Sequence, residues 1–469
     1  MTGKIVISGS GISGLLCALL LCLKGQGDKI IIIEKNNELG GLLRRFHYGE
    51  WGDFDYGMHN LLETGIDELD ALLFSLLPEE EWQILDDNKR DLAGIYFNGK
   101  LQQHTPYIDL RSLSQEDYHA CLADFLAHLD KQNLKNAAET HLTAYDYAIQ
   151  RFGELSASKT ILPSIEKVHK KKASELDFMA TIFTPMTRLA FCDEILAREL
   201  TLSPLLRDHI AWSDQRTLPK ERTSGRRALY PINYGMYRIV EAIIYRIKDA
   251  GAKIFTRSEI IELKKSNGKV RSVTFSCNDQ NQNIENVEQL IWTGNIPMLG
   301  NYLGVDFTGL KYDKPLKTIV VNMVVDVPPK SMGDLYYFFC YDKLFHTYRL
   351  TNFRNYCHGA GRNGGYPICM EMLMDDETVK MSDPSQIASH EYKLFGFLEN
   401  SKILFSKAEF LDSGFPMPTV NNINNIRVIR NAIYDMNLDN VQLLGILAKD
   451  NLFFQTDVLI DVYQKMIWN

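Results

Sequence analysis

The pattern of apolar and polar positions is clearest near the start of the chain. Residues 5–7 form an apolar run that predicts a buried strand, and residues 15–24 form an apolar stretch that predicts a helix. Residues 30–33 are consecutive isoleucines, which predict a second buried strand. A strand, a helix and a strand in this order predict the first unit of a parallel α/β sheet.

The turn between the first strand and the helix has the spacing Gly-x-Gly-x-x-Gly, formed by Gly9, Gly11 and Gly14. Gly9 permits a tight turn, Gly11 lets the backbone approach a pyrophosphate, and Gly14 lets the helix pack closely on the strand. The N-terminal amides of the helix face the same phosphates, and Ile12 and Ser13 in the turn are predicted to bind the cofactor as well. The pattern predicts a bound dinucleotide, and a purely structural turn is the alternative.

The second strand ends in Glu34, an acid that is placed to accept a hydrogen bond from a ribose hydroxyl. Six positions after this acid comes the pair Gly40-Gly41. An acid followed by this glycine pair resembles the extended signature of the FAD-dependent amine-oxidase superfamily, in its protoporphyrinogen oxidase-like and UDP-galactopyranose mutase-like branch. The resemblance implies a non-covalent FAD that is contacted by Lys35, by the glycine pair and by Leu42.

The same resemblance covers residues 54–59, which match the segment that passes close to the flavin ring. The mutase-like branch has a histidine at the position of His59, so the resemblance implies a catalytic, flavin-facing His59. A hydrogen-bonded structural histidine is the alternative. The resemblance also implies cofactor contacts at five later positions, which are Ile260, Thr293, Gly294, Gly445 and Asp457.

An aromatic-rich segment precedes Arg349. Relatives that handle anionic substrates carry an arginine on such a strand, and a guanidinium suits bidentate capture of a carboxylate or phosphate. We therefore predict that Arg349 binds the substrate, together with Tyr348, Tyr230 and Arg216. An ion pair between Arg349 and Glu371, formed from one strand to the next, is the alternative.

Further elements follow from apolar spacing and turn residues. The spacing predicts a helix over residues 61–77, a mostly helical stretch over 111–214 and a strand over 317–327. Residues 96–100 and the pair Asn267-Gly268 predict hairpin turns.

These elements predict an α/β fold with an α+β substrate part. We expect a Rossmann-type (GR2-like) FAD-binding domain that is discontinuous in sequence and consists of residues 1–75, 215–300 and 430–469. The substrate domain is predicted to combine a helical cap, residues 76–214, with a mixed sheet, residues 301–429.

Composition narrows the range of functions. A net charge of -8 disfavours a nucleic-acid-binding surface. No segment offers the roughly twenty apolar residues of a membrane span. The eight cysteines are scattered without a Cys-x-x-Cys pair, which disfavours a metal site and predicts free thiols in a cytoplasmic protein.

Three functions are compatible with these observations. The first is an FAD-dependent oxidoreductase that acts on a small, anionic substrate. The second is a mutase-like flavoenzyme that acts without net redox change on a nucleotide sugar, and the third is a flavin-binding protein without turnover. The expected partner is a small molecule, either a sugar nucleotide or another anion, and the oligomeric state is left open.

Overall fold

The computed structural model describes residues 3–132, 143–398, 401–411 and 417–467. Its strands are β1 Lys4–Ser8, β2 Ile30–Ile33, β3 Arg45–His47, β4 Asp53–Asp55, β5 Leu61–Leu62, β6 Trp82–Leu85, β7 Ala93–Phe97, β8 Lys100–Gln102, β9 Ala228–Pro231, β10 Lys253–Phe255, β11 Ser258–Ser266, β12 Lys269–Cys277, β13 Gln280–Glu285, β14 Val287–Trp292, β15 Lys317–Val325, β16 Tyr337–Cys340, β17 Thr347–Asn352, β18 Tyr366–Met374, β19 Ile403–Leu411 and β20 Val441–Leu443. Its α-helices are α1 Ile12–Leu23, α2 Asp67–Phe74, α3 Gln115–Gln132, α4 Ala144–Phe152, α5 Glu154–Ser156, α6 Leu162–His169, α7 Met179–Phe183, α8 Glu194–Leu200, α9 Pro204–His209, α10 Tyr237–Asp249, α11 Ile296–Leu303, α12 Asp376–Met381, α13 Pro384–Leu394, α14 Val420–Asp435 and α15 Gln455–Ile467.

A parallel sheet of five strands, in the order β10-β2-β1-β14-β20, forms the centre of the part that is predicted to bind the cofactor, called the cofactor part below. Its strands are apolar because both faces are covered. Ile30 and Ile32 belong to the core that contains α1 and α10, whereas Ile31 and Ile33 belong to the core that contains β11 and β12. The predicted Rossmann-type fold is confirmed.

The strands of this sheet come from the beginning, the middle and the end of the chain. The helix α14 runs through position 430, where the sequence places a domain boundary. Its residues Ile429 and Ile433 pack with Leu299 of α11 in the core beside the parallel sheet. The cofactor part is thus assembled from separate segments, while the boundaries themselves stay a prediction.

The substrate part contains a mixed sheet of seven strands in the order β19-β15-β18-β17-β16-β7-β8. Neighbouring strands are antiparallel except for β16 and β7, which run parallel. β7 and β8 come from the segment that the sequence assigns to the helical cap. The predicted mixed sheet is therefore present and includes two strands of that segment.

The helices α3 to α9 form a cap with its own apolar core. Phe125, Phe152 and Ile165 are fully buried in this core. Residues 133–142, which also belong to the predicted cap, lie outside the described residues. The helical prediction for this region is confirmed for the part that the structure describes.

The apolar helix α1 is an integral part of the cofactor fold. It has 12 residues and packs between the parallel sheet and the helices α10 and α15. Within the described ranges, no helix combines the length and the apolar character that crossing a membrane requires.

The predicted helix over residues 61–77 is wrong in its first third. Leu61 and Leu62 form the short strand β5 and pair with β9, and α2 begins only at Asp67. Gly65 adopts φ +80°, and Asp70 accepts hydrogen bonds from the amides of Thr64 and Gly65 at 2.7 and 3.0 Å. This turn ends the strand and starts the helix, which apolar spacing alone does not show.

Candidate functional site

The glycine turn after β1 has the close contacts that the sequence predicts. Gly9 has φ +95°, and a Cβ at this position would lie 2.6 Å from Thr293 Oγ1. A Cβ on Gly14 would lie 2.2 Å from the carbonyl oxygen of Gly9. Both positions therefore require glycine for the packing of the turn itself.

Gly11 differs from its two neighbours in the motif. A Cβ on Gly11 would meet no atom within 4 Å, and its backbone φ is -62°. Gly41 lies beside it, since a Cβ on Gly41 would be 3.0 Å from Gly11 Cα. The amide of Gly40 donates to Ser10 O at 3.0 Å, which joins the two glycine segments. We call this space, bounded by residues 9–14 and 40–41, the glycine cradle.

The cradle faces the first turn of α1, which begins at Ile12. The residues 12 and 13 have the first amides of this helix, which have no partner within the helix and are suited to bind an anion. Ser13 is buried, and its Oγ would lie 3.4 Å from a Cβ on Gly445. The predicted phosphate-binding residues of the first motif are thus brought together at one end of the sheet.

Glu34 lies at the carboxyl end of β2 and is buried. Its Oε2 accepts hydrogen bonds from Ser10 N at 2.8 Å and from Ser10 Oγ at 2.7 Å, and its Oε1 accepts from Asn36 N at 2.9 Å. These bonds fix the carboxylate beside the glycine turn. The adjacent Lys35 is exposed. The ribose contact of Glu34 stays a prediction.

Three predicted cofactor residues from later in the sequence, Thr293, Gly294 and Gly445, also lie at the cradle. Thr293 donates to Ser8 O through its amide at 3.1 Å and through its hydroxyl at 2.7 Å. Gly445 has φ +87°, and a Cβ on it would lie 3.4 Å from Thr293 O. Gly294 follows Thr293 at the end of β14. Distant parts of the chain therefore meet at the carboxyl end of the parallel sheet, where ligands bind in open α/β sheets.

Ile260 and Asp457 lie farther from the turn. Ile260 is buried in β11, and its carbonyl oxygen accepts a hydrogen bond from the Tyr302 hydroxyl. β11 nevertheless begins beside the acid, because the amide of Ser258 donates to Glu34 O at 2.9 Å. Asp457 lies in the first turn of α15, the helix that packs on α1.

Arg44 is a functional candidate that the sequence analysis missed. Its Nε is buried and has no hydrogen-bond partner among the described residues, and its guanidinium lies 4.6 Å from the ring centroid of Tyr56. It follows the pair Gly40-Gly41 by three positions, whereas the sequence analysis stopped at Leu42, which is largely exposed. A basic residue three positions after a glycine pair is the signal that could have identified it.

The segment with the predicted flavin-facing histidine is anchored by Asp55. This buried carboxylate accepts hydrogen bonds from the Tyr230 hydroxyl at 2.6 Å and from Met236 N at 2.9 Å, next to the start of α10. Burial raises the pKa of Asp55 to about 7, although the Tyr230 hydrogen bond acts in the opposite direction. Tyr230, a predicted substrate residue, is fully buried, and its hydroxyl belongs to this anchor.

His59 lies at the end of this segment and close to the mixed sheet. Burial and the nearby Arg349 guanidinium lower the pKa of His59 to about 4, so the imidazole is neutral at neutral pH. Two residues earlier, a Cβ on Gly57 would lie 3.0 Å from Glu371 Cδ. The segment therefore lies against β18, where Glu371 lies.

Arg349 and Glu371 form the ion pair that the sequence left as an alternative. Arg349 donates from Nε to Glu371 Oε1 at 2.7 Å and from Nη2 to Glu371 Oε2 at 2.8 Å. The Tyr348 hydroxyl donates to the same Oε2 at 2.7 Å. The Arg349 side chain keeps 20% of its surface exposed, and the part of the chain that the structure describes offers no hydrogen bond to its Nη1. We call Tyr348, Arg349 and Glu371 the arginine cluster.

Arg216, the remaining predicted substrate residue, has other partners. Its Nε donates to Asp334 at 3.0 Å, and its Nη1 donates to Gln103 O at 3.0 Å. None of these partners belongs to the arginine cluster. The structure thus brings Tyr348, Arg349 and His59 together and places Arg216 and Tyr230 in separate contacts.

The lowered pKa of His59 predicts a pH dependence of stability. The folded state favours the neutral imidazole of His59, whereas the unfolded chain binds a proton at about pH 6.5. The stability that His59 contributes to the folded state is therefore complete above pH 6.5 and is lost as the pH falls towards 4. We expect the free energy of unfolding of the wild type to fall between pH 7 and pH 4.5 by roughly 1–3 kcal/mol more than that of a His59→Gln variant. Urea unfolding at saturating FAD measures this difference, and parallel pH profiles would contradict the prediction.

Comparisons with known proteins agree with this arrangement. Residues 7–73 match the family model of an NAD(P)-binding Rossmann-like domain. No curated protein is significantly similar in sequence. Among solved structures, the match to reduced UDP-galactopyranose mutase covers 99% of this chain and 95% of the mutase chain, with 16% identity and a TM-score of 0.70. The match to a protein from Exiguobacterium sp. 255-15 that is assigned as a protoporphyrinogen oxidase covers 100% of this chain and 98% of that protein's chain, with 16% identity and a TM-score of 0.69. The match to an oxidoreductase from Methanosarcina mazei covers 99% of this chain and 100% of that protein's chain, with 14% identity and a TM-score of 0.57.

The similarities include both the cradle and the substrate part. The matched residues 7–73 contain the glycine turn, Glu34 and the pair Gly40-Gly41. The first two solved structures extend over nearly the whole chain, so the mixed sheet and the cap are included. The chain therefore shares its overall fold with these two solved structures.

Proposed function

We propose that the protein is an FAD-dependent oxidoreductase that acts on a small molecule. The glycine cradle supports this proposal more than any other observation. Gly11 faces open space between the start of α1 and Gly41, and Glu34 lies at the end of the neighbouring strand. This is the arrangement that a dinucleotide with a pyrophosphate and a ribose requires.

The residues present fit FAD. The backbone around Gly11 would hold the pyrophosphate, because that glycine alone of its motif has no close neighbour at the Cβ position. Arg44 has an unpartnered, buried Nε three positions after Gly41, and its charge would suit the same phosphates or the polar edge of the flavin. Gly445 and Thr293 close the cradle from the side of β14 and β20.

The chain contributes a neutral imidazole and buried aromatic side chains. When bound, FAD supplies the two-electron chemistry that amino-acid side chains lack. His59, neutral at pH 7, can accept a proton from the substrate or donate a hydrogen bond to it. The aromatic residues Tyr337, Tyr348 and Tyr341 are buried around Arg349 and would exclude water.

The substrate would lie between the His59 segment and the strands β16 to β18. A small anion, the substrate class that the sequence analysis predicts, would meet Arg349 only at Nη1, since Glu371 holds the other two nitrogens of its guanidinium. We keep this class as part of the proposal. The following experiment tests which small molecule is the substrate.

Purification followed by anaerobic titration tests the proposal. We expect a yellow protein whose chromophore is released as FAD by heat or acid, because no covalent attachment is predicted. Candidate small carboxylates and sugar nucleotides are then added without oxygen. Bleaching of the flavin absorbance by a substrate supports the oxidoreductase.

Two other results would contradict it. Isomerisation of a nucleotide sugar that occurs only after reduction with dithionite would favour the mutase-like alternative. A colourless protein that takes up no FAD would refute the proposed cofactor and the oxidoreductase with it.

A further inference from the structure

The bidentate edge of Arg349 is already occupied within the protein. Its Nε and Nη2 donate to the two oxygens of Glu371 at 2.7 and 2.8 Å. This is the paired geometry by which a guanidinium otherwise binds a carboxylate or phosphate of a ligand. Tyr348 donates to Glu371 Oε2 at 2.7 Å and holds the carboxylate in this position.

The three strands around Arg349 add no second basic residue. The strands β16, β17 and β18 contain Arg349 as their single basic residue. The Tyr337 ring centroid lies 6.0 Å from the Arg349 guanidinium carbon, and the Tyr337 hydroxyl donates to Asp91 at 3.2 Å. Because Glu371 balances Arg349 and His59 is neutral at pH 7, these strands present a site without net positive charge.

We propose that Glu371 is a specificity-determining residue that restricts this site to substrates with a single oxygen for Arg349. A carbonyl oxygen or one oxygen of a monocarboxylate fits the remaining Nη1, whereas the diphosphate of a sugar nucleotide is excluded. This inference rests on the proposed function and narrows its substrate class.

The exclusion follows from the cost of separating the pair. To bind in the bidentate manner, a diphosphate has to displace Glu371, which is buried and would lose its only guanidinium partner among the described residues. If Glu371 stays in place, the diphosphate lies beside a carboxylate of the same sign. A neutral carbonyl oxygen at Nη1 avoids both penalties, and a monocarboxylate avoids the first and brings less negative charge beside Glu371 than a diphosphate does.

Calorimetric titration of the FAD-saturated protein with uridine diphosphate and with uridine tests this inference. In the wild type we expect the two ligands to bind with affinities within threefold of each other, or to show no detectable binding. In Glu371→Gln we expect the affinity for uridine diphosphate to rise at least tenfold while that for uridine stays unchanged, because Arg349 regains a free edge. Glu194→Gln is the matched control, since it removes the carboxylate of an arginine–glutamate pair outside the arginine cluster, Arg198 and Glu194 at 3.2 Å, and it should resemble the wild type.

Wild-type protein that binds uridine diphosphate at least tenfold more tightly than uridine would overturn the inference, and so would a folded Glu371→Gln variant without the gain. If Glu371→Gln does not fold or does not retain flavin, the wild-type comparison alone decides. Failure of the proposed function is distinguishable from these outcomes, because it appears in the flavin experiments: the wild-type protein binds no FAD, or it isomerises a nucleotide sugar only after reduction with dithionite.

Discussion

A Gly11→Val variant is expected to fold and to lose FAD. The backbone of Gly11 has φ -62°, which valine can adopt, and a Cβ would meet no protein atom within 4 Å. The added side chain would instead fill the space in which the backbone has to approach the pyrophosphate. We expect the flavin content per folded protein to fall by at least tenfold, as measured by absorbance after purification and after reconstitution with excess FAD.

Gly25→Val is the matched control for this experiment. Gly25 lies in an exposed turn after α1 with φ +73°, so valine strains the backbone there although it meets no neighbouring atom. This control should lower the melting temperature of the apoprotein and leave the dissociation constant for FAD unchanged. Equal flavin content in the two variants would show that the turn does not bind the phosphates.

The cradle could be predicted from the sequence because its determinants are local. The spacing of Gly9, Gly11 and Gly14 and the acid at the end of β2 lie within a single strand–helix–strand unit, and Gly9 and Gly14 are required by the packing of the turn itself. Gly445 was the more difficult prediction, since it comes from the last strand of the sheet and rested on the resemblance. Its position beside Ser13 depends on the order of the strands, which no local pattern specifies.

The arginine cluster shows where sequence reasoning ends. Arg349 lies on β17 and Glu371 on β18, and the register of these antiparallel strands places the two residues opposite each other. Alternation of apolar residues predicts the strands but not this register, so substrate binding and ion pairing were equally compatible with the sequence. Arg44 was missed for a different reason, because the sequence shows only a basic residue near a glycine pair, and the unpartnered Nε that supports a role appears in the packed structure.

The largest expected effect on stability comes from separating Arg349 and Glu371. Glu371 is buried, and its oxygens accept three hydrogen bonds from Arg349 and Tyr348. Replacing one partner leaves the other charge without its counter-ion, so Arg349→Met and Glu371→Met should each lower the free energy of unfolding by about 3–5 kcal/mol. Replacing both partners removes the uncompensated charge, and the double variant should lie within about 2 kcal/mol of the wild type.

Urea unfolding of the four proteins at one saturating FAD concentration measures this cycle, since bound FAD adds the same stabilisation to each when its affinity is unchanged. Flavin content, determined in parallel, checks that condition. If the double variant loses as much as the sum of the single variants, the two residues act independently and the pair does not stabilise the sheet. If Arg349→Met alone leaves the stability within about 0.5 kcal/mol of the wild type, the guanidinium is not needed for folding. That result would favour the reading in which Arg349 is kept for the substrate, and it would weaken the specificity role of Glu371.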